Sequence, residues 1–187
     1  MKARTLSNVI GFDDSPFSWD HRGDVRLVGA VCARTRLDGV VSGFVRRDGS
    51  NATDRMIELV GARFGEHIQC VLMQGIAVAG FNVVDLARLH RELDIPVLVV
   101  VRRRPRMHLV RAALARTPGG ADKWALIEQA GALERLGALW VQRVGLTTAE
   151  ATALLRATTS HGNIPEPLRL AHIIAGGVER GASRGRA

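Results

Sequence analysis

Short apolar runs alternate with amphipathic stretches along the whole chain. Residues 6–13 (LSNVIGFD) form an apolar run that ends in acids; Asp13, Asp14, Ser15 and Pro16 then break it, because proline lacks a donor and restricts the residue before it. VRLVGAVCAR (25–34) and GVVSGFVR (39–46) are β-rich and separated by a polar connection through Thr35–Asp38, which predicts a hairpin. Met56, Ile57, Leu59, Val60 and Phe64 fall on a helical stripe, with Asn51 or Thr53 placed to cap its start. Ile68–Met73 and Pro96–Val101 show no alternation, the mark of strands buried on both faces. Helical spacing recurs over 83–92, 107–116, 122–135, 147–157 and 167–179, with a short strand at 139–144, and Thr147–Glu150 reads as a capping box. Antiparallel strands followed by strand–helix alternation predict the α/β class, a mixed sheet flanked by helices.

The length of 187 residues suits one domain, expected over 1–179, with 180–187 as a basic, mobile tail. Hydrophobic residues at 47% and charged residues at 24% are ordinary for a globular chain and exclude wholesale disorder. No apolar run approaches the roughly 20 residues of a membrane span, and the amino end has no segment of signal-peptide length. A soluble, cytoplasmic protein with no membrane partner is expected. Cys32 and Cys70 sit in apolar runs outside any CxxC pair, so small buried hydrophobes are expected rather than reactive thiols. The net charge of +8 and pI near 11.2 point to a polyanionic partner such as DNA or RNA, without saying anything about fold.

HExxH, paired-cysteine zinc spacing, GxSxG and a phosphate loop are all missing, which removes zinc protease, zinc finger, serine hydrolase and nucleotide hydrolase. Asp13 and Asp14 close the first strand, and a period of two sends them to opposite faces, so that only one can enter a given site. One is a candidate metal ligand; the pair also suits a plain turn before Ser-Pro. Gln74-Gly75 ends the central strand, where ligands collect in α/β sheets. Gly75 and Gly80 allow close backbone approach. Arg102–Arg104 end the next strand, either to hold phosphates or to cap an apolar strand in solvent. In GNIPEPLRLAH (162–172), Pro167 fits a first helical turn and His172 lies one or two turns inside, with a catalytic and a structural reading both open.

NVIGFDDSPF, QGIAVAGFNVVDL, IPVLVVVRRRP and TTSHGNIPEPLRLAHIIAGGVERGASRGRA together closely resemble the DUF99 (UPF0215) family, related to endonuclease V, some of whose members are named endonuclease dU. The resemblance runs from about residue 8 to the end and implies a ribonuclease H-like fold. It also implies a metal-dependent endonuclease, using Mg²⁺ or Mn²⁺ on DNA or RNA at a deaminated base of the deoxyuridine or inosine type. In that reading Asp13 and Asp48 bind metal, with Asp54 as second choice to Asp48, and His172 positions the attacking water or a second metal. Arg102 and Arg103 contact backbone phosphate. Gly75, Gly80 and Asn82 line a pocket for an extruded base, and Phe17 and Trp19 either wedge or stack against bases or are partly buried.

One departure bears on the chemistry. The resemblance implies an Asp, usual in that family, where this chain has Gln74. Glutamine offers a neutral oxygen to a metal but no negative charge, and hard divalent cations are usually held by one or two carboxylates. The alternative reading is therefore a catalytically weakened or inactive nucleic-acid-binding protein on the same scaffold; a phosphatase or nucleotide-processing enzyme is a third.

Overall fold

The computed structural model describes residues 5–184. Three antiparallel strands come first: β1 (Asn8–Asp14), β2 (Asp24–Ala33) and β3 (Arg36–Arg46). Then follow α1 (Ala52–Arg63), β4 (Cys70–Gln74), a two-residue-strand hairpin of β5 (Ala77–Val78) and β6 (Asn82–Val83), α2 (Leu86–Leu93) and β7 (Val97–Val101). The chain continues through α3 (Met107–Leu114), α4 (Gly120–Gln129), β8 (Glu134–Leu136), β9 (Leu139–Val144), α5 (Thr148–Thr158) and α6 (Glu166–Arg180). The main sheet runs β3-β2-β1-β4-β7-β9-β8. Its centre, β1, β4 and β7, is parallel, and the outer pairings are antiparallel. This is the mixed, ribonuclease H-like sheet that the resemblance implies.

The unbroken apolar runs are explained by a core on each side. Ile10, Phe12, Val71, Met73 and Val99 pack against Met56 and Val60 of α1 and Leu89 of α2. Val9, Cys70, Leu72, Leu98 and Val100 pack on the other side against Leu154 of α5 and Leu168 and Ala171 of α6. Both cysteines are buried, and burial pushes the Cys32 thiol up to about 12, which makes it inert. Gly11 brings α6 close to β1: a Cβ there would lie 2.5 Å from the Pro167 carbonyl carbon.

Several boundaries differ from the sequence reading. The hairpin turns at Arg34–Thr35, with Ala33 paired to Arg36 and Arg34 in the left-handed region, so β3 starts three residues earlier than 39. The helix expected over 122–135 stops at Gln129, because Gly131 takes a φ of +78° and the chain re-enters the sheet as β8. The Thr147–Glu150 capping box forms as expected. At α1 neither expected cap acts: Asn51 makes no capping bond, and Thr53 Oγ1 accepts from the Asp85 N–H at 3.0 Å. Arg180 belongs to α6, and Ser183 Oγ donates back to the Ile173 carbonyl at 2.6 Å, so the tail's described start lies on the helix. Arg186 lies outside the described residues. No helix among the described residues is long and apolar enough to cross a membrane.

Candidate active site

The strand period separates Asp13 from Asp14 as expected. Asp13 faces α6, where its Oδ2 lies 2.8 Å from His172 Nδ1, and its Oδ1 accepts the Asp14 N–H at 3.0 Å. Burial raises the Asp13 carboxyl, and the bond to His172 opposes that rise. Nδ1 faces the Asp13 carboxylate, and Nε2, across the ring, points away from it. Two residues earlier on β1, the bare Gly11 backbone lets α6 settle close enough for this pair to meet.

Gln74 belongs with that pair. Phe12 is in register with Met73, so one step further Asp13 and Gln74 lie side by side, on the face that also carries Gly11 and Leu72. Gln74 Oε1 is buried and has no hydrogen-bond partner. A buried, unpaired carbonyl oxygen costs about 1–3 kcal/mol, so this oxygen is free to accept a donor or a cation.

Asp14 points the other way. Its Oδ2 accepts from the Ala79 N–H at 3.1 Å, and burial followed by the charge of Asp13 pushes it up to about 6. The same loop holds Asp48: Phe81 N–H donates to Asp48 Oδ1 at 2.8 Å, and Asp48 N–H donates to Ala79 O at 2.9 Å. Gly80 sits between them with φ +82°, and a Cβ there would lie 2.4 Å from Asp48 Oδ1. Arg47 Nε lies 3.3 Å from Asp48 Oδ2, and the buried Lys123 donates its Nζ to the Asp48 carbonyl.

The sequence profile of the family described as Endonuclease dU matches residues 6–179. A Deinococcus radiodurans UPF0215 protein is 59% identical over 182 residues, covering 97% of this chain and 93% of its own. The chain belongs to the endonuclease dU family. A Methanothermobacter thermautotrophicus UPF0215 protein is 41% identical, over 96% of this chain and 91% of its own. Among solved structures, a protein from Archaeoglobus fulgidus superposes with a TM-score of 0.86 at 35% identity, over 92% of this chain and 98% of its own. Ciona intestinalis endonuclease V, solved with a 24mer DNA containing an inosine followed by a ribo-adenosine, gives 0.56 at 12% identity, over 89% and 83%. That last likeness carries the fold alone.

Within this member of the family, the expected residues fall into separate groups. Asp13, His172 and, by register, Gln74 come together. Asp48 sits with the Ala79–Phe81 loop on the Asp14 side, and Asp54 is in an ion pair with Arg88 at 2.6 Å. No three His, Cys, Asp or Glu side chains among the described residues form a group able to hold a metal. Gly75 and Gly80 line a cavity of about 700 Å³ with Phe81, Arg104, Met107 and Trp124. Asn82, expected in that lining, is instead fully buried. Its Oδ1 accepts the Ala52 N–H at 3.0 Å, which caps α1 from 30 residues away, and its Nδ2 donates to Arg46 O and Asn51 Oδ1, both at 2.8 Å. Arg102 and Arg103 are exposed past the end of β7, whereas Arg104 stacks over Trp140 at 5.5 Å.

The sequence reading missed Trp124, Lys123 and the role of Glu166. Glu166 is buried, holds Arg169 at 2.6 Å and accepts from Ser160 Oγ at 2.6 Å. Its i,i+3 spacing from Arg169 within PEPLR was a visible signal; the α4 residues carried none, since their partners are distant in sequence.

Proposed function

We propose that this protein is a metal-dependent endonuclease that hydrolyses a phosphodiester bond in DNA or RNA at a deaminated base, of the deoxyuridine or inosine type. The observation that carries the reading is the Asp13–His172 pair beside the orphaned Gln74 oxygen at the ends of adjacent parallel strands. The donor set suits Mg²⁺ or Mn²⁺: such ions take oxygen ligands, often one or two carboxylates completed by water and substrate phosphate, and Asp13 and Gln74 supply one carboxylate and one unclaimed amide oxygen. Bound there, the ion supplies charge stabilisation to the phosphodiester oxygens. Asp13 accepts one hydrogen bond on each oxygen, which leaves each a further lone pair. His172, held by Nδ1, takes a proton from water at Nε2. Arg102 and Arg103 hold backbone phosphates. The cavity past Gly75 and Gly80, walled by Phe81 and Trp124, takes the extruded base. Asp48 is assigned to holding the Ala79–Phe81 wall of that cavity, as its contacts suggest.

The test is strand cleavage with Mg²⁺ or Mn²⁺ on oligonucleotides carrying deoxyuridine, deoxyinosine or inosine, comparing wild type, Asp13→Ala and Gln74→Asp. Product from wild type and loss in Asp13→Ala is expected. Cleavage that survives Asp13→Ala overturns the site. A second reading, a binder that has lost turnover, is favoured by one observation: the site has a neutral amide where a second carboxylate would complete a three-residue metal group. Product from Gln74→Asp but none from wild type would select it. In either case affinity for nucleic acid falls steeply with salt.

A further inference from the structure

α6 runs parallel to β1 and then past it. Gly11 meets Pro167, Asp13 meets His172, and Ser15 Oγ donates to the Ala175 carbonyl at 3.2 Å, so the last turn of the helix stands beyond the strand's end. There the chain reverses. Gly181 takes a φ of +74°, and its N–H closes the helix on the Gly177 carbonyl at 2.9 Å. Ser183 then tucks back against α6: its Oγ donates to the Ile173 carbonyl at 2.6 Å, and a Cβ on Gly176 would lie 3.0 Å from the Ser183 Cβ. The reversal leaves a cavity of about 490 Å³, whose lining includes Pro16, His172, Gly176, Arg180, Ser183 and Arg184. His172, Gly176 and Arg180 recur every fourth residue and so share one helix face. The missing side chain at Gly176 is what admits Ser183, and with it Arg184, to that face.

Neither the Arg180 nor the Arg184 guanidinium makes a hydrogen bond, ion pair or ring contact with another described residue, whereas Arg47, Arg88, Arg143 and Arg169 each hold a carboxylate. The carbonyls at the end of α6 do not account for them either, since Gly181 and Ser183 already bond those of Gly177 and Ile173. Two unclaimed guanidiniums repel each other, so a fold that turns back to bring both to one cavity suits an anion held between them. His172 lines the same cavity, which puts that anion beside the Asp13–His172 pair. We propose that the cavity is a second phosphate subsite, where Arg180 and Arg184 grip an internal phosphate of the substrate strand at a nucleotide neighbouring the one cleaved. Arg102 and Arg103 follow β7, while α6 packs on β1 and β2, so the two basic groups flank Asp13 from opposite sides. The proposal rests on the nuclease reading and adds a requirement to it: the strand must continue past the scissile bond through the tail cavity.

The experiment measures binding of the full chain, in EDTA, to a labelled deoxyuridine strand and to copies in which one linkage at a time is a neutral methylphosphonate. With wild type, neutralising the gripped phosphate is expected to weaken binding by about tenfold, the scale of one lost charge-assisted bond. Arg180→Ala and Arg184→Ala should each bind the unmodified strand about tenfold more weakly and lose the sensitivity at that linkage alone. Each should also reduce the slope of log affinity against log salt by about one, and Arg184→Lys, which keeps the charge, should restore the slope. Equal sensitivity of wild type and both variants at every linkage overturns the subsite, and so does an unchanged salt slope. Cleavage of the unmodified strand with Mn²⁺ is scored separately. A linkage whose effect vanishes in Arg184→Ala, without cleavage by wild type, ends the nuclease reading and keeps the subsite. Cleavage by wild type with no such linkage ends the subsite alone, and a strand that neither binds nor is cut ends both.

Discussion

Asp13 and Asp14 are consecutive on one strand and have opposite circumstances. Asp13 gives both oxygens to partners that leave lone pairs free, beside an imidazole and an unsatisfied amide oxygen. Asp14 is turned to the other core, where it accepts a backbone N–H and is pushed up to about 6. The pair teaches that a carboxylate's partners are set by the face it reaches: one side of the sheet offers an imidazole and an unpaired amide oxygen, the other a loop to hold.

The largest effect separates the two directly. Asp13→Ala should lower cleavage by roughly 10³-fold, the scale for removing a charge-stabilising or proton-handling group, whereas Asp14→Asn should retain it within about tenfold; single-turnover rates on one oligonucleotide decide it. Equal losses would erase the distinction between the faces. Next comes Gly80→Ala on the Asp14 side. It forces a side chain into a left-handed position and into Asp48 Oδ1, and should cost about 1–2 kcal/mol in urea denaturation.

The smallest effect is a pair of opposite pH slopes, read in EDTA. Asp14 has its carboxyl raised from 3.8 to about 6, so the folded chain keeps a proton that the unfolded chain has released, and stability falls as pH rises between those values. Asp14→Asn should flatten that fall. Glu166, on the α6 side, is held below its ordinary 4.5 chiefly by its hydrogen bonds to Arg169, against the opposing pull of burial. Its contribution is present above 4.5 and is lost as pH drops through its lower folded value. Glu166→Gln should flatten the acid limb instead.

Much of this was legible in the sequence. The continuous apolar runs foretell a sheet covered on both faces, and the period of two foretells that Asp13 and Asp14 reach opposite faces. Legibility failed where the deciding partner is far along the chain. Asn82 resembles a loop residue facing a ligand, and only the fold reveals that it caps α1. Asp48 has the type and place of a metal ligand, yet its bonds go to Ala79 and Phe81, more than 30 residues away. The helix expected to run to 135 was misread because Gly131 lies within an apolar pattern that continues past it.

The contact at Gly11 has a mechanical consequence. Along β1 the step from Gly11 to Asp13 is about 7 Å, and along α6 the step from Pro167 to His172 is about 7.5 Å. The two elements are therefore like beams fastened at one end by a missing methyl and at the other by the Asp13–His172 bond. Shimming the first joint by the thickness of one side chain would pivot the helix and open the second, so the tolerance of the acid–imidazole pair is machined at a residue that touches neither.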